Sequence, residues 1–151
     1  MVELTVATPA DCDELGKTMR HPNLAEYLRA TGVTAEELLR EAIETSRQAW
    51  ACRIDGELVA LGGFIPDSFT SDSAMLWIHT GMPIERHQKA FLRACHQWLR
   101  ESLEVFGRLY VLVDESFEQS LRMVRWLGFL PFEKRALDRL KTSVLVMEIT
   151  S

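Results

Sequence analysis

The apolar positions along the chain follow two rhythms, one strand-like and one helical, and together they predict its elements in order. Residues 2–7 predict a short strand. Thr8-Pro9-Ala10-Asp11 then opens a helix. Thr8 can accept hydrogen bonds from free backbone N–H groups, and Pro9 stands where its missing N–H costs nothing. Cys12, Leu15 and Met19 continue at helical spacing until His21-Pro22-Asn23 breaks the pattern. Residues 22–32 fit either a loop or an extra helical turn. Thr34-Ala35-Glu36-Glu37 has the form of a capping box, and Leu38, Leu39, Ala42, Ile43 and Ser46 make one face of a second helix.

Two apolar runs, 49–54 and 58–65, flank Asp55-Gly56, a pair that favours the turn of a β-hairpin. A polar loop at 66–72 follows. Residues 74–80 are apolar on both alternating sets, which predicts a strand buried on both faces, ended by Gly81 and Pro83. Residues 84–106 predict the longest helix, with Phe91, Ala94, Cys95, Trp98, Leu99, Leu103 and Phe106 on one stripe and Gly107 as its stop. Next come an apolar strand at 109–113 and a helix at 117–127. That helix turns Phe117, Leu121, Val124 and Leu127 inward and stops at Gly128. Strands at 129–135 and 143–149 finish the order. No linker, internal repeat or low-complexity tract divides it, so residues 1–151 read as one mixed α/β domain. The strand–helix–strand unit over 74–113 needs a right-handed crossover, which lets its two strands run parallel.

Composition narrows the function classes. The hydrophobic fraction is 47% and the charged fraction 26%, as in globular domains. A net charge of −5 argues against nucleic acid as partner, although a local basic patch can still hold an anion. Cys12, Cys52 and Cys95 are odd in number and widely spaced, so they form neither a disulfide framework nor a zinc pattern. Each lies in an apolar stretch and reads as a buried free thiol, which suits a cytoplasmic protein. Neither a signal peptide nor a membrane-length apolar run is visible. His21, His87 and His96 make no ligand spacing with a cysteine or carboxylate, so no metal is expected.

Several stretches carry a family resemblance. Thr5-Val6-Ala7-Thr8-Pro9-Ala10-Asp11 looks like the opening strand and helix of the GCN5-related N-acetyltransferases (GNAT). Ala51-Cys52-Arg53-Ile54-Asp55-Gly56-Glu57-Leu58-Val59-Ala60-Leu61-Gly62-Gly63-Phe64 resembles that family's second and third strands. Val113-Asp114-Glu115-Ser116 through Trp126-Leu127-Gly128-Phe129 resembles its final helix and the Gly-Phe after it. The likeness runs nearly the whole chain and implies the GNAT fold: a mostly antiparallel central sheet of about six to seven strands flanked by about four helices. It also implies acetyl-CoA as co-substrate and an amine as acceptor. A narrower likeness over 74–104 is to phage-encoded GNAT-like proteins, including the internal virion protein A group of short-tailed coliphages. These share an aromatic strand, a glycine-poor loop and a charged helix. That likeness implies a host or virion protein as partner and the host cytoplasm as location.

The resemblance also points to a site. In the family, a loop of the form Arg/Gln-x-x-Gly-x-Gly/Ala before the third helix holds the CoA pyrophosphate on backbone N–H groups. The matching stretch is Glu85-Arg86-His87-Gln88-Lys89-Ala90, in which only Ala90 keeps the pattern. Gln88 replaces the central glycine, and the Glu85 carboxylate would repel pyrophosphate. Arg86, His87 and Lys89 offer positive charge in compensation. The alternative is an ordinary solvated helix start, where Glu85 suits the helix dipole.

By the same analogy the fourth and fifth strands splay apart, and the backbone of Ile78 and Thr80 would pair with the pantetheine amides. The tyrosine many members use as acid, four residues before the Gly of Gly-Phe, is Val124 here. Phe117 stands for the usual Asn and Ser120 for the usual Ala. His79, ending the fourth strand, is a candidate base. Asp114, ending the fifth, is a candidate amine ligand or helper of a base. Each is also readable as an ordinary strand end. Tyr110 reads as core, as do Trp50, Trp77, Trp98 and Trp126, with Trp77 also able to line the cleft. Lys134, Arg135, Arg139 and Lys141 form a basic stretch that fits an acidic partner, the CoA 3′-phosphate or a solvated hairpin. Three functions are consistent with this sequence: an acetyltransferase, a GNAT-fold protein that acts by protein–protein interaction, and an acyl-CoA sensor.

Overall fold

The computed structural model describes residues 1–19, 28, 29, 31–114, 118–137 and 142–151, with the backbone alone at 114, 135–137, 142 and 143. The predicted break at His21-Pro22-Asn23, residues 22–27 of the ambiguous segment, the inward face of Phe117, and Arg139 and Lys141 lie outside the described residues.

Seven strands form one sheet in the order β1-β2-β3-β4-β5-β7-β6: β1 (Val2–Val6), β2 (Gln48–Ile54), β3 (Glu57–Pro66), β4 (Ser73–Thr80), β5 (Arg108–Asp114), β6 (Leu130–Leu137) and β7 (Thr142–Thr150). All neighbours pair antiparallel except β4 and β5, which pair parallel across the crossover helix. Among the described residues, four α-helices are fully bounded: α1 (Pro9–Gly16), α2 (Ala35–Thr45), α3 (Gln88–Leu103) and α4 (Glu118–Trp126). A 3₁₀ helix, Met82–Arg86, precedes α3. The mixed, mostly antiparallel α/β architecture is the one expected from the sequence.

Local chemistry explains the boundaries. Thr8 caps α1 through a full capping box: the Asp11 N–H donates to the Thr8 hydroxyl at 3.3 Å, and the Thr8 N–H returns a bond to the Asp11 carboxylate at 2.9 Å. At Thr34 only half of the predicted box is made, with the Glu37 N–H donating to the Thr34 hydroxyl at 3.1 Å. Asp55 and Gly56 take positive φ, 50° and 82°, as a type I′ hairpin turn requires. Gly128 ends α4 in a Schellman motif: its N–H donates to the Arg125 carbonyl, and that of Phe129 reaches back to Val124.

The helices cover the sheet unequally. α1 and α2 lie on one face over β2, β3 and β4, burying Cys12, Leu15, Leu39, Leu61 and Trp77. On the other face, α3 and α4 bury Phe91, Cys95, Leu99, Val124 and Leu127 against Phe64, Leu76, Leu109, Val111 and Met147. Several expectations change for this reason. β5 is not apolar-buried throughout: Leu112 is exposed, and Tyr110 is half-buried rather than core. β4 buries Ala74, Leu76 and Trp77 but leaves Met75, Ile78, His79 and Thr80 half-buried. Trp126 is exposed at the last turn of α4, its ring 5.8 Å from that of His96. The long helix neither starts at 84 nor runs to Gly107. A 3₁₀ turn replaces its beginning, and its last residue is Leu103.

Two interactions lock α1 and α2 to the sheet, and each yields a prediction. The Trp77 indole N–H donates to the Ser46 hydroxyl at 2.6 Å, just after α2, directly over Gly63. A Cβ at Gly63 would sit 2.6 Å from the Gln48 carbonyl and 2.9 Å from the indole nitrogen. Gly63→Ala should cost about 1–3 kcal/mol by overpacking, read as a lowered melting temperature. A melting temperature equal to wild type would show that the Trp77–Ser46 contact yields freely.

Asp11 accepts from Arg53 on β2 at 2.7 Å. Burial pushes its carboxyl upward, but the hydrogen bonds from Arg53 and Thr8 outweigh that and hold it below the usual carboxylate range. A depressed folded pKa contributes stability that is present above the unfolded pKa and lost as pH falls through the folded one. Asp11→Asn is therefore expected to be about 1.5–3 kcal/mol less stable than wild type at neutral pH, with the gap closing below about pH 4. Chemical denaturation at several pH values reads both parts.

Candidate functional site

β4 and β5 form a fork. They pair only at Ser73–Arg108, Ala74–Leu109 and Met75–Tyr110, while β4 continues to Thr80 and β5 to Asp114. The free arm of β4, five residues at about 3.3 Å each, is about 16 Å long. Its other edge stays paired to β3, from Ala60–Thr80 to Pro66–Ala74. The Gly81 N–H donates to the Val59 carbonyl, and the Asp67 N–H donates to the Ser73 carbonyl. Antiparallel strands turn alternate residues toward each neighbour. Odd-numbered residues of β4 therefore bond to β3, and the backbone groups of Ile78 and Thr80 face the fork. These are the two positions named from the sequence as partners for the pantetheine amides.

The mouth of the fork is the start of α3. Gly81 leads into the 3₁₀ helix, His87 stands between the two helices, and Gln88 begins the α-helix. Only Asp55 among the described non-glycine residues has positive φ, so Gln88 enters the helix without the freedom of a glycine. The His87 N–H donates to the Ile84 carbonyl at 2.9 Å. No side chain caps the helix, and the N–H groups of Gln88, Lys89 and Ala90 have no partner among the described residues. Three free donors at the positive end of a 16-residue helix can bind an anion. Gln88 and Lys89 are exposed and Ala90 is half-buried.

Two of the expected cationic residues are already occupied. The Arg86 guanidinium is ion-paired with Glu57, and His87 Nε2 lies 3.0 Å from the same carboxylate. Hydrogen bonds from Arg86 and then His87 lower the Glu57 carboxyl below its ordinary value, and Glu57 raises Arg86 in return. Glu57 directly follows the Asp55-Gly56 turn, and the β3–β4 register carries it to the start of α3. The sequence reading did not identify it.

The two candidate proton carriers stand on separate arms. His79 projects to the α1/α2 face beside Trp77, with ring centroids 5.7 Å apart. Asp114 ends β5 opposite Val144. Tyr110, read as core from the sequence, lies at the base of the fork. It forms the last pair before the fork opens, its hydroxyl donates to the Asp67 carboxylate at 2.5 Å, and the Arg108 guanidinium lies 4.8 Å from its ring centre. Val124, where the family's tyrosine is expected, is 3% exposed and packed in the core.

Cys52 and Cys95 line an apolar pocket beside the fork with Ile78, Phe91 and Trp98. Burial pushes their thiols up to about 11 and about 12. Neither is a thiolate at neutral pH, so neither can act as a nucleophile there. Among the described residues, no group of three or more His, Cys, Asp or Glu side chains is placed to hold a metal, and no helix is long and apolar enough to cross a membrane.

No family model and no curated protein sequence matches the chain. Solved structures do. A spermidine N-acetyltransferase chimera from Vibrio cholerae superposes with a TM-score of 0.73 at 15% identity, covering 99% of this chain and 95% of that one. The ribosomal-protein-alanine N-acetyltransferase from Brucella melitensis gives 0.68 at 16% identity and 99% of both chains. A GNAT-family acetyltransferase from Streptococcus pneumoniae gives 0.63 at 16%, again over 99% of both. The fold is therefore that of the GNAT acetyltransferases.

Proposed function

We propose that this chain is an N-acyltransferase that moves an acetyl group from acetyl-CoA to an amine. The observation that supports it best is the fork, with the backbone of Ile78 and Thr80 turned into it and the uncapped start of α3 at its mouth. A strand-like arm carrying amides can add to the free edge of β4, as an extra strand adds to a sheet. The N–H groups of Gln88, Lys89 and Ala90 would receive the pyrophosphate, with Lys89 and Arg86 as cations. Acetyl-CoA supplies the activated acyl group. The chain supplies position, exclusion of water by Ile78, Phe91 and Trp98, and a base for the amine proton at His79. With both fork-side thiols protonated, the amine attacks the thioester directly rather than through an acyl-cysteine; the C–S bond breaks, CoA leaves as its thiolate, and the amine proton passes to His79.

A second reading has its own support. Glu57 already pairs with Arg86 and hydrogen-bonds His87, and Val124 stands where the family's tyrosine acid is expected. These features suit a GNAT-fold protein that works by binding a protein partner, including a virion or host component if the chain is phage-encoded. An acyl-CoA sensor lies between the two.

Calorimetric titration with acetyl-CoA separates these readings. The transferase reading expects saturable one-to-one binding and acetyl release to an amine in an acceptor screen. Binding without turnover on any amine would select the sensor, and no binding at millimolar acetyl-CoA would overturn both. Thr80→Pro tests the fork itself. The lost N–H faces the fork, so the β3–β4 ladder survives, while affinity should fall about ten- to a hundredfold. Unchanged affinity in a folded Thr80→Pro variant would place the ligand elsewhere.

A further inference from the structure

We propose that β1 is the seam of a homodimer, formed by antiparallel pairing of β1 with β1 of a second copy about a twofold axis through Leu4. β1 is the sheet's outer strand on one side and pairs only with β2 among the described residues. All five of its residues are exposed, with Val2, Leu4 and Val6 at 38%, 45% and 67%. Free edges are usually blunted by proline, lysine, a bulge or a covering element. Val2–Val6 has no proline or lysine, and its register with β2 runs without interruption.

The direction of the backbone groups makes this edge available. The Ala7 N–H donates to the Ala49 carbonyl, and the Asp55 N–H donates to the Met1 carbonyl. Odd-numbered residues therefore bond to β2, and Val2, Leu4 and Val6 turn their N–H and C=O groups outward. A partner strand centred on Leu4 would make about six backbone hydrogen bonds with them.

The side chains select a second copy as that partner. Val2-Glu3-Leu4-Thr5-Val6 is symmetric in pattern about Leu4. The twofold sets Val2 against the partner's Val6, Leu4 against the partner's Leu4, and Glu3 against the partner's Thr5. No two like charges stand directly opposite. Within the subunit, Glu3 stands across from Arg53 on β2. On the apolar side, Leu4 already lines the pocket with Trp50, Cys52 and Trp98, so the seam continues an apolar surface beneath α3. A self-complementary patch is what a twofold contact requires.

Sedimentation velocity on protein with any tag at the C-terminus, from about 1 to 100 µM, tests the proposal. Dimer is expected at the upper concentrations. Leu4→Asp and Val6→Asp, both at exposed positions, should give folded monomer by circular dichroism and mass. Thr5→Lys places a cation opposite the partner's Glu3 and should tighten the dimer severalfold. Glu3→Cys with Thr5→Cys should cross-link under oxidation, because the two positions face each other across a close, non-hydrogen-bonded pair, while either change alone should not. A wild-type monomer at 100 µM, or a dimer indifferent to both Asp variants and unable to cross-link, would overturn the seam. Acetyl-CoA binding has no part in these outcomes.

Discussion

Reversing Arg86 and Lys89 to Glu should weaken acetyl-CoA binding at least about a hundredfold, while Glu57→Gln should tighten it about three- to tenfold. Both effects follow from the charge at one helix start. The free N–H groups of Gln88, Lys89 and Ala90 are fixed by α3 and change in neither variant. What changes is the side-chain field around them. The double reversal turns two cations into two anions beside the pyrophosphate position. Removing the Glu57 charge works the other way: Arg86 and His87 lose the carboxylate that now holds them, and are released to an incoming phosphate. The second effect is smaller because Arg86 is largely exposed and its pair with Glu57 is screened by solvent. Both effects should shrink with added salt. Titration of the three proteins at two ionic strengths reads all of this. If Glu57→Gln weakens binding, the carboxylate positions Arg86 for the ligand instead of competing for it.

This competition also marks where the sequence stopped being legible. Element order was readable because it rests on local signals: Thr8-Pro9 and Thr34 at helix starts, Asp55-Gly56 at a hairpin, Gly128 at a helix stop. The proposed cofactor-side positions could be named from the sequence because the loop from Gly81 to Ala90 is contiguous. Glu57 was missed because it meets Arg86 across 29 residues, through a β3–β4 register that local pattern does not reveal. Tyr110 was misplaced for a related reason. An apolar run such as Leu109-Tyr110-Val111-Leu112-Val113 looks doubly buried, but among the described residues α3 and α4 cover one face of β5, while Tyr110 on the other face is half-buried and meets Asp67 and Arg108. Gln88 looked like an obstacle when judged as a missing glycine. It costs nothing in backbone strain, because the 3₁₀ turn ends at Arg86 and Gln88 enters the α-helix with an ordinary φ.

His79→Ala is expected to have the largest effect on turnover, lowering kcat about 10²- to 10⁴-fold with acetyl-CoA affinity nearly unchanged. The split follows from orientation. The backbone of His79 is engaged with β3, opposite Leu61, so it offers nothing to the fork edge that would hold the pantetheine arm. Its ring instead stands on the α1/α2 face beside Trp77, away from the α3 pocket lined by Ile78, Phe91 and Trp98. An acceptor amine entering from that face would meet the imidazole while the acyl donor lies in the fork. Removing the ring should therefore slow proton removal without disturbing donor binding. Added imidazole should restore part of the rate in His79→Ala, because the vacated space can admit a free base. His79→Gln should keep the fold and stay slow without rescue. Equal loss of affinity and rate would make His79 a structural residue of the β4 arm. Full activity in both variants would move the proton to another carrier, and Tyr110, hydrogen-bonded to Asp67 where the fork begins, would be the next to replace.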